Sequence, residues 1–64
     1  MYENKLKRIR MEKGLTITKL SDLSGVSAGY ICHLENGSRT NPSIETMEKI
    51  AAVLDKSILE VFFK

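Results

Sequence analysis

The amino-acid sequence predicts an all-α domain of five short helices. Apolar residues recur at helical spacing along most of the chain, and no segment shows the two-residue alternation of a half-buried strand. Glycines and the single proline interrupt this pattern, and a serine or threonine precedes most of the periodic segments at the position of a helix N-cap. A chain of 64 residues has room for one domain, residues 1–64.

The first two helices are predicted at about 2–13 and 17–24. Gly14 ends the first helix because glycine adopts the left-handed conformation of the C′ position without steric cost. Thr16 begins the second helix, since its hydroxyl can accept a backbone N–H of the first turn.

Three further helices follow at about 27–36, 43–54 and 57–63, and each begins at a serine. Asn36 and Gly37 form a left-handed stop after the third helix. The predicted core positions are Leu6, Ile9, Leu20, Ile31, Leu34, Ile44, Met47, Ile50, Ala51, Leu54, Ile58, Val61 and Phe62.

Composition excludes several classes of protein. The single cysteine cannot form an internal disulfide, and the Cys/His ligands of a zinc finger are missing, so no metal or cofactor is expected. No apolar run is long enough for a membrane span, and no export signal precedes the domain, which favours the cytoplasm. Residues 1–39 carry seven Lys/Arg against four Asp/Glu, so the basic half of the chain is the better surface for a polyanion.

Residues 17–36 meet the physical requirements of a helix-turn-helix. The short connection makes the two helices cross steeply, which requires a small residue at their contact, and Ser21 supplies it. Gly25 provides the positive φ of the turn, and Ile31 fills the angle between the helices.

The third helix has two dissimilar faces at 100° per residue. The inner face comprises Ser27, Tyr30, Ile31, Leu34 and Ser38. The outer face comprises Ala28, Gly29, Cys32, His33 and Asn36, and it has neither an acid nor a large apolar side chain. Such a face suits either plain solvation or insertion into a DNA major groove, and periodicity does not decide between them. Gly29 favours the groove, because a mid-helix glycine costs about 1 kcal/mol relative to alanine and solvation gives no reason for it.

Several motifs resemble the Cro/phage-repressor (XRE) family of helix-turn-helix regulators, and in particular the DNA-binding domain of SinR-type repressors. The resemblance covers about residues 4–62 and rests on Leu15–Leu20, Ser24-Gly25-Val26-Ser27, Tyr30-Ile31, Leu34-Glu35-Asn36-Gly37 and Asn41-Pro42-Ser43. It implies a five-helix, lambda-repressor-like, sequence-specific DNA-binding domain, in which the third helix (about 27–36) reads the major groove of double-stranded DNA. The expected activity is transcriptional regulation, most simply repression.

Carried over to this sequence, the resemblance implies base contacts by Ala28, Gly29 and His33. It also implies phosphate contacts at the start of the second helix, around the third helix and in the loop that follows. With the basic residues of this surface, the expected phosphate-contacting residues are Arg10, Thr18, Lys19, Ser27, Tyr30, Asn36, Ser38, Arg39 and Thr40. Arg10 and Glu35 match positions that the family often joins by an ion pair.

The sequence departs from the family pattern at three places. Ile17 stands where a phosphate-binding glutamine is common. Ala28 and Gly29 replace long polar side chains, which leaves His33 as the strongest candidate for base recognition. Asp55 and Lys56 replace a frequent Gly-Val pair before the last helix.

Two kinds of partner remain possible. Leu59 and Phe63 fall outside the core stripe of the last helix and are expected to form a homodimer contact that places two third helices on a palindromic operator. Alternatively, these residues and Leu23 form an apolar patch for another protein, as in an antitoxin-like or adaptor module. No catalytic motif is present, so an enzyme and a small-molecule ligand are not expected.

Overall fold

The computed structural model describes residues 4–37 and 41–63 of the chain. Five α-helices account for the regular structure in these ranges: α1 (Leu6–Glu12), α2 (Ile17–Ser24), α3 (Ala28–Glu35), α4 (Ile44–Leu54) and α5 (Ile58–Phe62). Helix α2 packs against α3 and α4, while α1 packs against α3 and α5, and α4 also contacts α5. The predicted all-α, five-helix architecture is confirmed.

Four of the helices begin at a side-chain cap, and the sequence predicts the caps at Thr16, Ser27 and Ser43. Thr16, Ser27, Ser43 and Ser57 each accept a hydrogen bond from the backbone N–H three residues later. Helix α5 has a complete capping box, because the Glu60 carboxylate also accepts from the Ser57 N–H at 2.9 Å. This hydrogen bond from the Ser57 backbone lowers the pKa of Glu60.

Helix α1 begins later than the predicted residue 2. Asn4 and Lys5 precede it, and their polar groups are used by other parts of the molecule: the Lys5 N–H donates to the Val61 carbonyl at 2.8 Å. The Asn4 side chain accepts from the Leu6 N–H at 2.9 Å, which is an Asx turn. The chain therefore enters α1 only at Leu6. Gly14 has φ +72° and follows α1 at the C′ position, as predicted.

The core combines residues of all five helices. It consists of Leu6, Ile9, Leu20, Val26, Ile31, Leu34, Met47, Ile50, Ala51, Leu54, Val61 and Phe62. The sequence predicts every member except Val26, which lies in the turn between α2 and α3. Ile58 is only partly buried against this core.

Ile44 is wrongly placed in the core by periodicity. It lies on the same side of α4 as Met47 and Ala51 but is the first residue of the helix, and it is 60% exposed. The apolar stripe of α4 thus extends one turn beyond the surface that the neighbouring helices cover.

One departure from the family pattern, Asp55, lies at the end of α4. Asp55 has φ +57°, and it is the only non-glycine residue with positive φ among the described residues. The N–H groups of Asp55 and Lys56 bond to Ala52 and Ala51, at 3.2 and 3.1 Å, in the pattern of a Schellman motif. This C′ position favours glycine, and aspartate adopts the conformation at a cost.

Replacing Asp55 with glycine is expected to stabilise the domain. The gain is about 0.5–1 kcal/mol, since relief of left-handed strain exceeds the extra chain entropy of glycine. In a domain of this size, such a gain raises the melting temperature by about 2–8 °C. Asp22→Gly is the matched control: Asp22 is exposed within α2, where the backbone is helical, so the same substitution there should lower stability by about 0.3 kcal/mol. Thermal denaturation followed by circular dichroism measures both, and a loss of stability in Asp55→Gly would contradict this account of the α4 terminus.

Candidate nucleic-acid interface

Helices α2 and α3 form a helix-turn-helix with a three-residue connection. Gly25 supplies the reversal with φ +77°. The buried Ser24 hydroxyl accepts the Val26 N–H at 3.2 Å, and Val26 itself is buried beneath the turn. Ser21 is half-buried on α2, as expected for a small residue where two helices cross closely. The turn is therefore fixed by backbone conformation, hydrogen bonding and apolar packing.

Helix α3 turns one face into the core and the other to solvent. Ile31 is fully buried and Leu34 is 2% exposed, while Tyr30 is half-buried and packs against the core. The outer face is formed by Gly29, Cys32, His33 and Asn36, all of them exposed. Ala28, which the sequence places on the outer face, is half-buried at the start of the helix.

Gly29 has no steric role that the structure reveals. A Cβ atom built on Gly29 would meet no heavy atom within 4 Å outside its own helix and chain neighbours, and its φ is not in the left-handed region. Neither packing within the domain nor backbone conformation requires glycine at this position. Its effect is to leave the backbone of α3 accessible from outside.

An ion pair joins α1 to the end of α3. The Arg10 Nε donates to Glu35 Oε2 at 2.6 Å, and a second guanidinium nitrogen donates to Glu35 Oε1 at 3.2 Å. Arg10 also donates to the Leu15 carbonyl at 2.6 Å. The two side chains are 10% and 3% exposed. This bidentate arrangement is the bridge that the resemblance implies.

The ion pair sets the charge of the α3 surface. The hydrogen bond to Glu35 raises the pKa of Arg10, so Arg10 stays protonated wherever the domain is folded. Glu35 is the only acidic residue within α3, and its carboxylate is covered and matched by the guanidinium. The outer face of α3 is therefore presented without an uncompensated negative charge.

The first turn of α2, in the same helix-turn-helix, is mostly exposed. Thr18 and Lys19 are exposed, whereas the side chain of Ile17 packs against the core. The Lys19 N–H is satisfied by the Thr16 hydroxyl at 3.0 Å. The N–H groups of Ile17 and Thr18, as first-turn donors, have no acceptor within their own helix.

The remaining sequence-predicted residues divide into three groups. Ser27 is exposed and caps α3, and Asn36 follows α3 with its amide 3.6 Å from the Cys32 sulfur. Ser38, Arg39 and Thr40 lie outside the described residues. Arg10 is 8% exposed and its guanidinium is held by Glu35 and Leu15, so a phosphate contact by Arg10 stays a prediction.

Sequence reasoning missed one residue that contacts α3. The Asn4 side-chain amide donates to the Leu34 carbonyl at 2.8 Å, joining the start of α1 to the end of α3. The available signal was an asparagine just before the first periodic apolar residue, which is typical of a helix start. Extending α1 back to residue 2 hid that signal.

Exposed apolar side chains also occur on α2 and at α5. Leu59 on α5 is 70% exposed and Phe63, at its end, is 44% exposed; the Phe63 N–H bonds to the Leu59 carbonyl at 3.2 Å. Leu23 on α2 is 53% exposed. The expectation that these three side chains fall outside the core is confirmed.

Residues 4–37 and 41–63 contain neither a cluster of metal-ligating side chains nor a membrane-spanning helix. Within these ranges, no three His, Cys, Asp or Glu side chains are grouped so that they could hold a metal ion. None of the five helices has the length and apolar character that crossing a membrane requires.

Comparison with known proteins defines the class as a helix-turn-helix regulator domain. A helix-turn-helix family model matches residues 6–61. The HTH-type transcriptional regulator SinR of Bacillus subtilis is 40% identical over 58 residues, which cover 91% of this chain and 52% of SinR. The HTH-type transcriptional repressor RghR of the same species is 40% identical over 53 residues, which cover 83% of this chain and 39% of RghR. The chain thus spans about half the length of SinR and less of RghR.

Solved structures show the same fold. The structure of SinR, a master regulator for biofilm formation, in complex with DNA superposes with a TM-score of 0.80 at 41% identity and covers 84% of this chain and 86% of that one. The restriction-modification controller protein C.AhdI from Aeromonas hydrophila gives 0.80 at 36% identity, with 88% and 83% covered. The chain belongs to the XRE-type helix-turn-helix family and has the lambda-repressor-like fold. Family membership also confirms that it is not an enzyme.

Removing one member of the buried ion pair is expected to leave most of the protein molecules unfolded. Glu35→Ala leaves the Arg10 charge buried without its partner, at a cost of about 3–5 kcal/mol. That is comparable to the whole stability of a domain this small. The control is the double variant Arg10→Met with Glu35→Leu, which replaces both charges with apolar groups and should stay within about 1–2 kcal/mol of the original. Urea denaturation measures both, and an unchanged midpoint for Glu35→Ala would show that the ion pair does not hold α1 to α3.

Proposed function

We propose that the chain is a double-stranded-DNA-binding domain of a transcription regulator, and that α3 enters the major groove. The observation that carries the proposal is the division of α3: its inner face is locked in the core, while Gly29, Cys32, His33 and Asn36 form an exposed face. An α-helix fits the major groove, and base edges there present hydrogen-bonding groups and methyls to such a face. Because its target is genomic DNA, the proposed location of the domain is the cytoplasm.

Charge supports this orientation. The phosphate backbone repels acids, and the one acid of α3 is neutralised by Arg10. Lys19 is exposed on α2, and the first-turn N–H groups of Ile17 and Thr18 suit a phosphate oxygen at a helix N-terminus. The proposed phosphate contacts are Thr18, Lys19, Ser27, Tyr30 and Asn36, together with Ser38, Arg39 and Thr40 and with Arg10 of α1.

Base recognition is assigned to the exposed side of α3. His33 is its only side chain that combines an aromatic ring with hydrogen-bonding nitrogens, so we propose that His33 contacts a base edge. Ala28 offers a methyl group to a thymine methyl, and Gly29 lets the backbone approach closely. Relatives support DNA binding as such: SinR is a transcriptional regulator whose structure is known in complex with DNA, and RghR is a repressor. Repression is accordingly the proposed outcome of binding.

A homodimer on a palindromic operator is the proposed assembly. Leu59 and Phe63 are four residues apart and linked by a hydrogen bond, so their exposed apolar surfaces are adjacent. Burying them against a second copy would remove apolar area from water. A two-fold dimer places two recognition helices about 34 Å apart, one turn of the duplex.

Affinity for duplex DNA is expected to fall steeply between 50 and 200 mM salt. Each phosphate contact contributes about −0.9 to the slope of log affinity against log salt concentration. Lys19→Ala should reduce that slope by about one contact and weaken binding to all sequences alike, whereas His33→Ala should relax preference at one base pair by about 1–3 kcal/mol. Fluorescence anisotropy with a panel of single-base-pair variants of a selected duplex measures both.

Lys56→Ala provides the control for charge, since Lys56 is exposed in the α4–α5 connection, outside the helix-turn-helix. It should leave the slope unchanged. A salt-independent affinity would reject DNA as the partner and favour the protein-interaction alternative. A uniform loss across the panel in His33→Ala would remove His33 as a base contact.

Leu59→Glu is expected to convert the dimer to a monomer, because it places a charge in the proposed apolar contact. Ile44→Glu is the matched control, since Ile44 is also an exposed apolar residue, 60% exposed, but lies on α4. Sedimentation equilibrium measures the mass of each variant. A monomeric original protein, or dissociation by Ile44→Glu and not by Leu59→Glu, would reject α5 as the dimer contact.

A further inference from the structure

The start of α1 is bonded to the recognition helix through a side chain that carries no charge. The Asn4 amide nitrogen lies 2.8 Å from the Leu34 carbonyl oxygen, 30 residues away in the chain. The same carbonyl accepts the Gly37 N–H at 3.3 Å, so Asn4 adds a second donor at the end of α3. Of these two hydrogen bonds, the one from Asn4 is the shorter.

Asn4 is itself held in place on both sides. Its oxygen accepts the Leu6 N–H at 2.9 Å, which fixes the side chain as an Asx turn at the start of α1. Its neighbour Lys5 is bonded through the backbone to Val61 of α5 at 2.8 Å. An amide with both ends engaged is ordered before any ligand binds, so the position of the Leu34 carbonyl is tied to α1 and α5.

Two contacts restrain the orientation of a helix, whereas a single contact restrains only the position of one residue. Arg10 holds Glu35 and Asn4 holds Leu34, so two consecutive residues of α3 are bonded to two places on the α1 segment. The helical stretch from Leu6 to Arg10 alone spans roughly 6 Å at 1.5 Å per residue. Both contacts lie at the C-terminal end of α3, so they restrain the position of that end and the rotation of α3 about its own axis. His33 directly precedes the residue that Asn4 holds.

We propose that Asn4 is a positioning residue for DNA recognition: its amide, bonded to the Leu34 carbonyl, orients the outer face of α3 against the base edges. The inference rests on the proposed function of α3. Asn4 does not contact DNA itself. Its contribution is to discrimination between sequences, because base-edge contacts depend on the orientation of the helix and general attraction to phosphates does not.

Asn4→Ser separates the two roles of the side chain. A serine oxygen can still accept the Leu6 N–H in an ST turn, but the shorter side chain loses the amide donor to Leu34. The measured quantity is the ratio of affinities for a duplex that the original protein selects from a random pool and for an unrelated duplex of equal length. We expect this ratio to fall by up to about 10-fold, because the net contribution of one hydrogen bond is the upper limit on what its loss can remove.

Asn4→Asp is the second variant. Its carboxylate keeps the Asx turn and favours the start of α1, but cannot donate to Leu34. The added negative charge weakens binding to both duplexes, and the ratio removes that common effect. Ile50→Val is the control for stability, because it removes a methyl group from a fully buried position on α4 and leaves both α3 anchors intact.

The outcomes separate the inference from the function on which it rests. A reduced ratio in both Asn4 variants, with an unchanged ratio in Ile50→Val, supports the positioning role. An unchanged ratio in a folded Asn4→Ser or Asn4→Asp overturns it while the proposed function stands, and so does an equal loss in Ile50→Val. If the original protein shows no preference between the duplexes, the proposed function fails and the inference fails with it.

Discussion

The structure depends on the way that α3 is fastened to the rest of the domain. Ile31 and Leu34 hold its inner face in the core, and the ion pair between Arg10 and Glu35 holds its end against α1. The apolar contacts provide most of the stabilisation, since they remove side-chain area from water without a desolvation penalty. The ion pair contributes specificity of arrangement more than free energy, because burying two charges costs nearly as much as their attraction returns. Together they determine which face of α3 remains exposed.

This arrangement lets a small core support an accessible helix face. A chain of 64 residues buries only about 60% of its unfolded surface, so it has little stability to spare. Side-chain caps on four helices and a Schellman motif at the end of α4 satisfy backbone groups without a larger core. The outer face of α3 can then consist of small and polar residues that contribute nothing to packing.

Local signals predicted most of the fold. The caps at Thr16, Ser27 and Ser43 and the turn at Gly25 are short-range features whose chemistry a sequence displays directly. Errors arose where the outcome depends on what lies nearby in space. Ile44 follows the apolar periodicity of the α4 core residues, but at the first position of the helix its side chain remains exposed.

The candidate site was less accessible to sequence reasoning than the helices. Periodicity gave the two faces of α3, and the resemblance gave Arg10 and Glu35, which a charge pattern alone would not pair across 25 residues. Asn4 was missed because its contact with the Leu34 carbonyl spans 30 residues and involves a backbone atom, which no side-chain pattern records. The left-handed backbone of Asp55 likewise became visible only in the folded chain.

The most direct test of the account is a map of backbone amide chemical shifts by NMR, recorded while a duplex selected by the protein is titrated in. The orientation of α3 predicts that the largest changes fall on residues 17–19 and 28–37, with α5 little affected. Changes concentrated around Leu59 and Phe63, with the amides of α3 unperturbed, would show that the domain binds its partner through another surface.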